Sequence, residues 1–183
     1  MSLMGRKFIF SAVAAATLAA GIADAQSGTS ALKGHNSNAP VDVAADRIEV
    51  QDRADRALFV GNVKVRQADL TLDTQRLTVA YTNDQGVQIQ RLDAAGGVVV
   101  RSPSETARGN FGIYDLDRRL ITLVGDVQLV RGGSQVSGQR LVIDLETGRA
   151  MIDGGPRGVN QGDGRVTGRF EVPQKRSPSG SGS

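Results

Sequence analysis

ALFVGNVKVRQADLTLDTQRLTVAY, residues 57–81, decides the fold. Val63 and Val65 share one face, Leu70 and Leu72 the face of the next segment, and Leu77, Val79 and Tyr81 a third. Period-two alternation broken at Gly-Asn is the pattern of half-buried β-strands joined by turns. The same pattern returns in ITLVGDVQLVRGGSQVSGQRLVIDL, residues 121–145. At a constant offset of 64 residues, Gly61 falls on Gly125, Val63 on Val127, Leu72 on Val136, and Gln75-Arg76-Leu77 on Gln139-Arg140-Leu141. The repeat is plain from Ala57 onward and blurred before it.

Outward from this unit the chain continues in the same style. Val41-Asp42-Val43 reads as a first short strand. Ile48 and Val50 alternate with charged residues, and Asp52 to Arg56 is a polar turn. After Tyr81, Asn83 to Gly86 turns the chain. Val87, Ile89 and, one bulge later, Leu92 then lead through Ala94-Ala95-Gly96-Gly97 to the run Val98 to Arg101. Ser102 to Arg108, with Pro103, is the expected mid-chain loop. The second unit opens at Gly109, and Met151 to Gly155 echoes Arg91 to Gly97. Val166 to Val172 reads as a last strand, and Pro173 to Ser183 as a disordered polar tail. After residue 25 no segment keeps a helical period for three turns. Many short strands with frequent turns indicate an all-β sandwich, barrel or solenoid, and the repeat favours a stacked or rolled architecture of two units.

The composition narrows the chemistry. The 183 residues contain no Cys, no Trp, one His and 23 Gly, with a net charge of +3. Positive and negative residues are mixed, without the basic clusters and aromatic platforms of a nucleic-acid surface, so no nucleic-acid partner is expected. Thiol catalysis and thiolate metal sites are excluded, and with the single histidine in the leader no Ser-His-Asp arrangement or His-based zinc site forms in the domain. Asp115 and Asp117 sit in a charged turn without a sugar platform. Gly132-Gly133 and Gly154-Gly155 lack the strand-to-helix setting of a phosphate loop. The reading is therefore not an enzyme, and without catalytic, metal or cofactor sites.

Gly5-Arg6-Lys7, the apolar run Phe8 to Leu18 and Ala23-Asp24-Ala25 follow the order of a cleavable secretory signal covering residues 1–25. The apolar stretch is shorter than the ~20 residues of a membrane span. Residues 26–39, rich in Ser, Gly and Asn, read as a flexible leader containing His35, and residues 40–172 as the β domain.

The paired segments ALFVGNVKVRQADLTLDTQRLTV and YDLDRRLITLVGDVQLVRGGSQVSGQRLVIDL, behind a signal sequence, resemble the OstA-like family of periplasmic lipopolysaccharide-transport proteins over roughly Pro40 to Gly155. The resemblance implies an open β-jellyroll of V- or C-shaped section, whose apolar inner face holds lipid A acyl chains of lipopolysaccharide. It also implies head-to-tail self-association, and joints through edge strands to inner-membrane LptC-like and outer-membrane LptD-like jellyroll domains. In such a roll the expected lipid-binding lining is Val41, Val43, Val50, Val63, Val65, Val100, Phe111, Tyr114, Leu116, Val127 and Leu129. Tyr114 offers a ring with one polar tip, suited to the boundary between acyl chains and head groups.

A carrier needs a continuous apolar trough, because each exposed CH₂ of a lipid costs about 0.8 kcal/mol in water. The same inward faces also read as ordinary sandwich core, which would make the chain a structural β module without lipid. Arg47, Lys64, Arg66 and Arg131 read either as solvated outer charges or as attractors of phosphorylated sugars. A retained signal would instead make the protein an anchored, LptC-like accessory subunit. The intact mass of the exported protein separates the last case.

Overall fold

The computed structural model describes residues 32, 35–84, 86–154 and 164–171. The expected signal and tail lie outside the described residues. Among the described residues ten strands form a single antiparallel sheet: β1 (Val41–Ala44), β2 (Arg47–Gln51), β3 (Arg56–Gln67), β4 (Leu70–Thr82), β5 (Gln88–Arg101), β6 (Glu105–Asp115), β7 (Leu120–Arg131), β8 (Ser134–Asp144), β9 (Arg149–Asp153) and β10 (Thr167–Arg169). A 3-10 turn, Asp52–Ala54, joins β2 to β3. The order β1-β3-β4-β5-β6-β7-β8-β10, with β2 also on β3 and β9 also on β8, does not close on itself. This is the open, two-unit, all-β jellyroll expected from the repeat and the resemblance.

The strands differ from expectation in length. β3 to β8 run 11 to 14 residues each, and the pieces read as separate strands are halves of one. Gly61-Asn62, Gly96-Gly97 and Gly125-Asp126 are not hairpin turns but bulges within continuous strands, where the register shifts. Both devices need positive φ, so Gly-Asn and Gly-Asp signal either one. Gly61 and Gly125 stand at φ +83° and +82°, and Asn62 and Asp126 at 46° and 47°. The expected loop Ser102–Arg108 likewise contracts to Ser102–Ser104, with Glu105 already in β6.

The bulges align across β3 to β8, and there every strand bends. One sheet thereby becomes two leaves. Leaf one holds β2, β9 and the halves of β3–β8 that neighbour them. Leaf two holds β1, β10 and the other halves. The leaves face each other: the Tyr114 hydroxyl in leaf one donates to Gln67 Oε1 in leaf two at 2.8 Å, although β6 and β3 are separated by β4 and β5 in the sheet. Between them lies the core, with Val63, Leu77, Leu92, Val98, Ile121, Leu123, Val127, Leu141 and Ile143 buried. At one bulge Thr74 Oγ1 donates to Ala95 O at 2.8 Å, pairing a carbonyl at the site of the register shift.

The 64-residue offset extends further back than the sequence discloses. The Tyr81 N–H donates to Asp55 O and the Leu145 N–H to Arg119 O, both at 3.0 Å, and Asp55 and Arg119 share positive φ. By the same offset β1 and β2 correspond to β6.

Candidate functional site

Residues paired directly across neighbouring strands point to the same face. Two unbroken rows follow from the register on the inner face of leaf one. The first is Val50, Ala57, Val79, Leu92, Tyr114, Ile121, Ile143, Ala150; the second is Ile48, Phe59, Leu77, Ala94, Gly112, Leu123, Leu141, Ile152. In leaf two a facing row runs Val43, Val65, Leu72, Val100, Ala107, Leu129, Val136, Gly168. Apart from the Tyr114 hydroxyl, every side chain in these rows is apolar or absent. Glycine at position 112 lets the leaves come close, since a Cβ there would lie 3.0 Å from Leu123 Cδ2 and 3.1 Å from Val98 Cγ1.

The middle of these rows is sealed and the ends are not. On β2, Ile48 and Val50 are each 57% exposed although they lie on the inward face. At the β8–β9 end an open cavity of about 460 Å³ lies between the leaves. Leu129 and Val136 line it from leaf two, Ala150 and Ile152 from leaf one, and Val166 and Phe170 from the C-terminal segment. Arg131 and Ser134 supply its polar rim, where Arg131 Nη2 donates to the buried Glu105 Oε1 at 2.5 Å.

Of the residues expected to line the trough, Val63, Val65, Val100, Tyr114 and Val127 are buried between the leaves. Val41, Val43, Leu116 and Leu129 pack half-buried against that core. Val50 is exposed on the inner row at the β2 edge. Phe111 is a correction. It pairs with Ala95 and Val124 on the outer face and is 57% exposed. The bulge between Arg108 and Phe111 changes the alternation, so Gly112 and Tyr114 face inward and Phe111 outward. Among the basic residues Arg47, Lys64 and Arg66 are exposed, whereas Arg131 stands at the cavity rim.

A polar cluster closes the opening opposite the bulge line, and the sequence did not announce it. Gln67, 2% exposed, accepts from Tyr114 Oη and, at 3.1 Å, from His35 Nε2. Its amide nitrogen donates to Ser37 O at 2.9 Å and Ala39 O at 3.0 Å. His35 Nδ1 lies 3.0 Å from Asp69 Oδ1, the imidazole is fully buried, and Leu32 is 2% exposed within the core cluster. The described part of the expected flexible leader is therefore seated against the roll. Burial pushes the Tyr114 hydroxyl's pKa up, while hydrogen bonds to Ser37 and Gln67 and the Arg119 charge act the other way. The available signal was parity: Gln67 continues the inward series of Val63 and Val65, a buried position where glutamine must find partners.

Among the described residues no cluster of three or more His, Cys, Asp or Glu is placed to hold a metal, and no helix is long and apolar enough to cross a membrane.

Comparison with known proteins gives a consistent result. Residues 42–149 match the family described as LptA/(LptD N-terminal domain) LPS transport protein. An uncharacterized protein of Rhizobium meliloti (strain 1021) is 32% identical over 147 residues, covering 75% of this chain and 79% of that protein. The crystal structure of LptH, the LptA-homologous periplasmic component of the lipopolysaccharide transport device of Pseudomonas aeruginosa, matches with a TM-score of 0.67 at 16% identity. That match covers 75% of this chain and 99% of the other, and it shows a shared fold.

Proposed function

The chain belongs to the LptA/LptD N-terminal-domain family of lipopolysaccharide-transport proteins, and from that premise we propose that it is a periplasmic LptA-type carrier that shields lipopolysaccharide acyl chains on their way from inner to outer membrane. The observation that carries this reading is the pair of apolar rows spanning the sheet from edge to edge. A β module without a ligand gains nothing from leaving such rows open at both ends. Here they end in exposed Ile48 and Val50 at one side and in an apolar-lined cavity of about 460 Å³ at the other.

The energetic logic is that of a sheltered path. An acyl chain between the leaves keeps its CH₂ groups out of water, each a gain of about 0.8 kcal/mol. The interior between the cavity rim and Tyr114 offers few side-chain polar groups that would hold the lipid at one place. Head-to-tail contact with a second copy, or with LptC-like and LptD-like jellyrolls, would prolong the rows past the edges by β-augmentation.

Photo-crosslinking amino acids placed in cells at Val50, Ile152 and the outward Lys64 test the carrier. Lipopolysaccharide is expected to crosslink at the first two and not at Lys64. Equal capture at all three, or at none, sinks the reading.

A further inference from the structure

At the mouth of leaf two the inward series of apolar side chains end on polar ones. Val63 and Val65 lead to Gln67, Val98 and Val100 to Ser102, and Val127 and Leu129 to Arg131. Glu105 is paired with Arg131 on one side and Ser134 on the other. In the first unit this row is answered across the leaves, because the Tyr114 hydroxyl donates to Gln67. The 64-residue offset sets Arg131 in the place of Gln67. By that end of the sheet, however, the Tyr114 row has run on through Ile121 and Ile143 to Ala150, whose side chain offers no polar atom. What separates Ala150 from Arg131 is the open cavity of about 460 Å³ that both of them line. Among the described residues two buried side-chain polar atoms have no hydrogen-bond partner, Ser102 Oγ and Arg131 Nε, and both belong to this row. Buried polar groups are seldom left so.

We propose that Arg131 anchors the acyl linkage of a bound lipid: the chain lies in this cavity, and the ester or amide carbonyl that joins it to its sugar accepts a hydrogen bond from the guanidinium. The inference rests on the carrier reading above and specifies which part of the ligand is recognised. Leu129, Val136, Ala150 and Ile152 suit the chain, and Arg131 stands where those walls give way to the polar rim. Its side chain is 33% exposed, so a small shift of it turns Nε toward an acceptor in the cavity. Glu105, 3% exposed, decides which acceptor fits. Its Oε1 accepts from Arg131 Nη2, which fixes the guanidinium and offsets its charge. A phosphate at this rim would meet that carboxylate as well as the arginine, whereas a neutral carbonyl meets only the donor. Because Nε is already out of water, its bond to the carbonyl is gained without removing water from the donor. The apolar rows let a chain slide, and this rim gives it one stopping place.

Calorimetric titration of the full exported chain with two detergents of matched chain length, decanoyl-N-methylglucamide and decyl glucoside, tests this below their micelle concentrations. The first carries an amide carbonyl at the head of the chain and the second an ether oxygen. Expected is about tenfold tighter binding of the amide, the worth of one hydrogen bond from a charged donor. Arg131→Met should cut that preference below about twofold. This change leaves Glu105 buried without its cation, so Glu105→Leu combined with Arg131→Met, which removes the whole pair, supplies the same readout without a stranded charge. Co-elution of purified rough lipopolysaccharide with the parent chain registers the carrier reading separately. Three results with co-elution intact overturn the anchor alone. They are equal affinity for the two detergents, a preference that survives both variants, and no binding of either detergent, which gives the cavity to a second copy or to the chain's own end. Failure of lipopolysaccharide to co-elute overturns both readings.

Discussion

Tyr114 concentrates the chemistry of the interior in one side chain. Its ring sits in an apolar row between Leu92 and Ile121, and its hydroxyl crosses to Gln67 in the other leaf. A phenol so placed keeps its proton more tightly folded than unfolded. Where the folded pKa lies above the unfolded one, the native state holds more protons and stability falls as pH rises. The contribution is fully present below the ordinary tyrosine pKa of about 10 and is lost as pH climbs through the raised folded value. Tyr114→Phe should therefore cost about 1 kcal/mol at neutral pH through the lost hydrogen bond, and should shrink the alkaline loss of stability. Urea midpoints from pH 8 to 11 measure both. An unchanged alkaline slope would assign that slope to other groups, with Tyr81, also raised by burial and by Asp52 and Asp55, as the next candidate.

Among the elements, the bulged strands explain what the sequence could and could not convey. Alternation is a local property, and it placed Val63, Val65, Leu70, Leu72, Leu77, Val79 and Tyr81 inward without error. Whether a Gly-Asn pair reverses the chain or kinks it depends on what lies on the neighbouring strand, which local pattern does not record. Phe111 went to the wrong face for the same reason, since one inserted residue reverses the parity of everything after it. The seating of residues 35–39 against the roll was hidden because it involves Gln67, some 30 residues away. One element-level pairing was legible but unread. Asp46 and Asn62 at the first bulge become Asn110 and Asp126 at the second, with the carboxylate and amide exchanged. The amides donate at 2.9 Å and 3.1 Å respectively, and in each case the side chain packs beside the bulge glycine, Gly61 or Gly125. Asn62→Asp alone sets two carboxylates face to face and should cost about 1 kcal/mol. Adding Asp46→Asn recreates the second unit's pair and should restore stability to within about 0.5 kcal/mol of the parent. Denaturant melts of the two singles and the double check this, and strictly additive losses would show that the pair does not couple.

For the whole molecule, the decisive property is that among the described residues the sheet has two free ends while its inner rows run through to both. The internal repeat says what the first end lacks. β1 and β2 occupy in the first unit the place of β6 in the second, yet β6 is flanked on both sides, by β5 and β7, and β1/β2, among the described residues, by β3 alone. On the open flank Ile48 and Val50 carry interior-type side chains, half or more exposed. An edge made like an interior strand is an aggregation hazard unless another strand completes it. Under the head-to-tail arrangement proposed above, a second copy supplies that strand at its β9/β10 end and joins Ile152 and Ala150 to Ile48 and Val50 in continuous rows. Contacts of this heterologous kind do not close and so grow into chains. Ile48→Lys tests it, because it places a charge in the row at the joint while touching no sealed part of the core. Fold stability should change by no more than about 0.5 kcal/mol, as for an exposed site. Association between copies should weaken at least about tenfold, the effect of some 1.4 kcal/mol for a charge left in an apolar contact. Light scattering coupled to gel filtration over a concentration series measures the assembly, and circular dichroism the fold. Oligomers that persist undiminished in a folded Ile48→Lys protein would place the joint on another surface, and the exposed ends of the rows would then have to be explained by lipid alone.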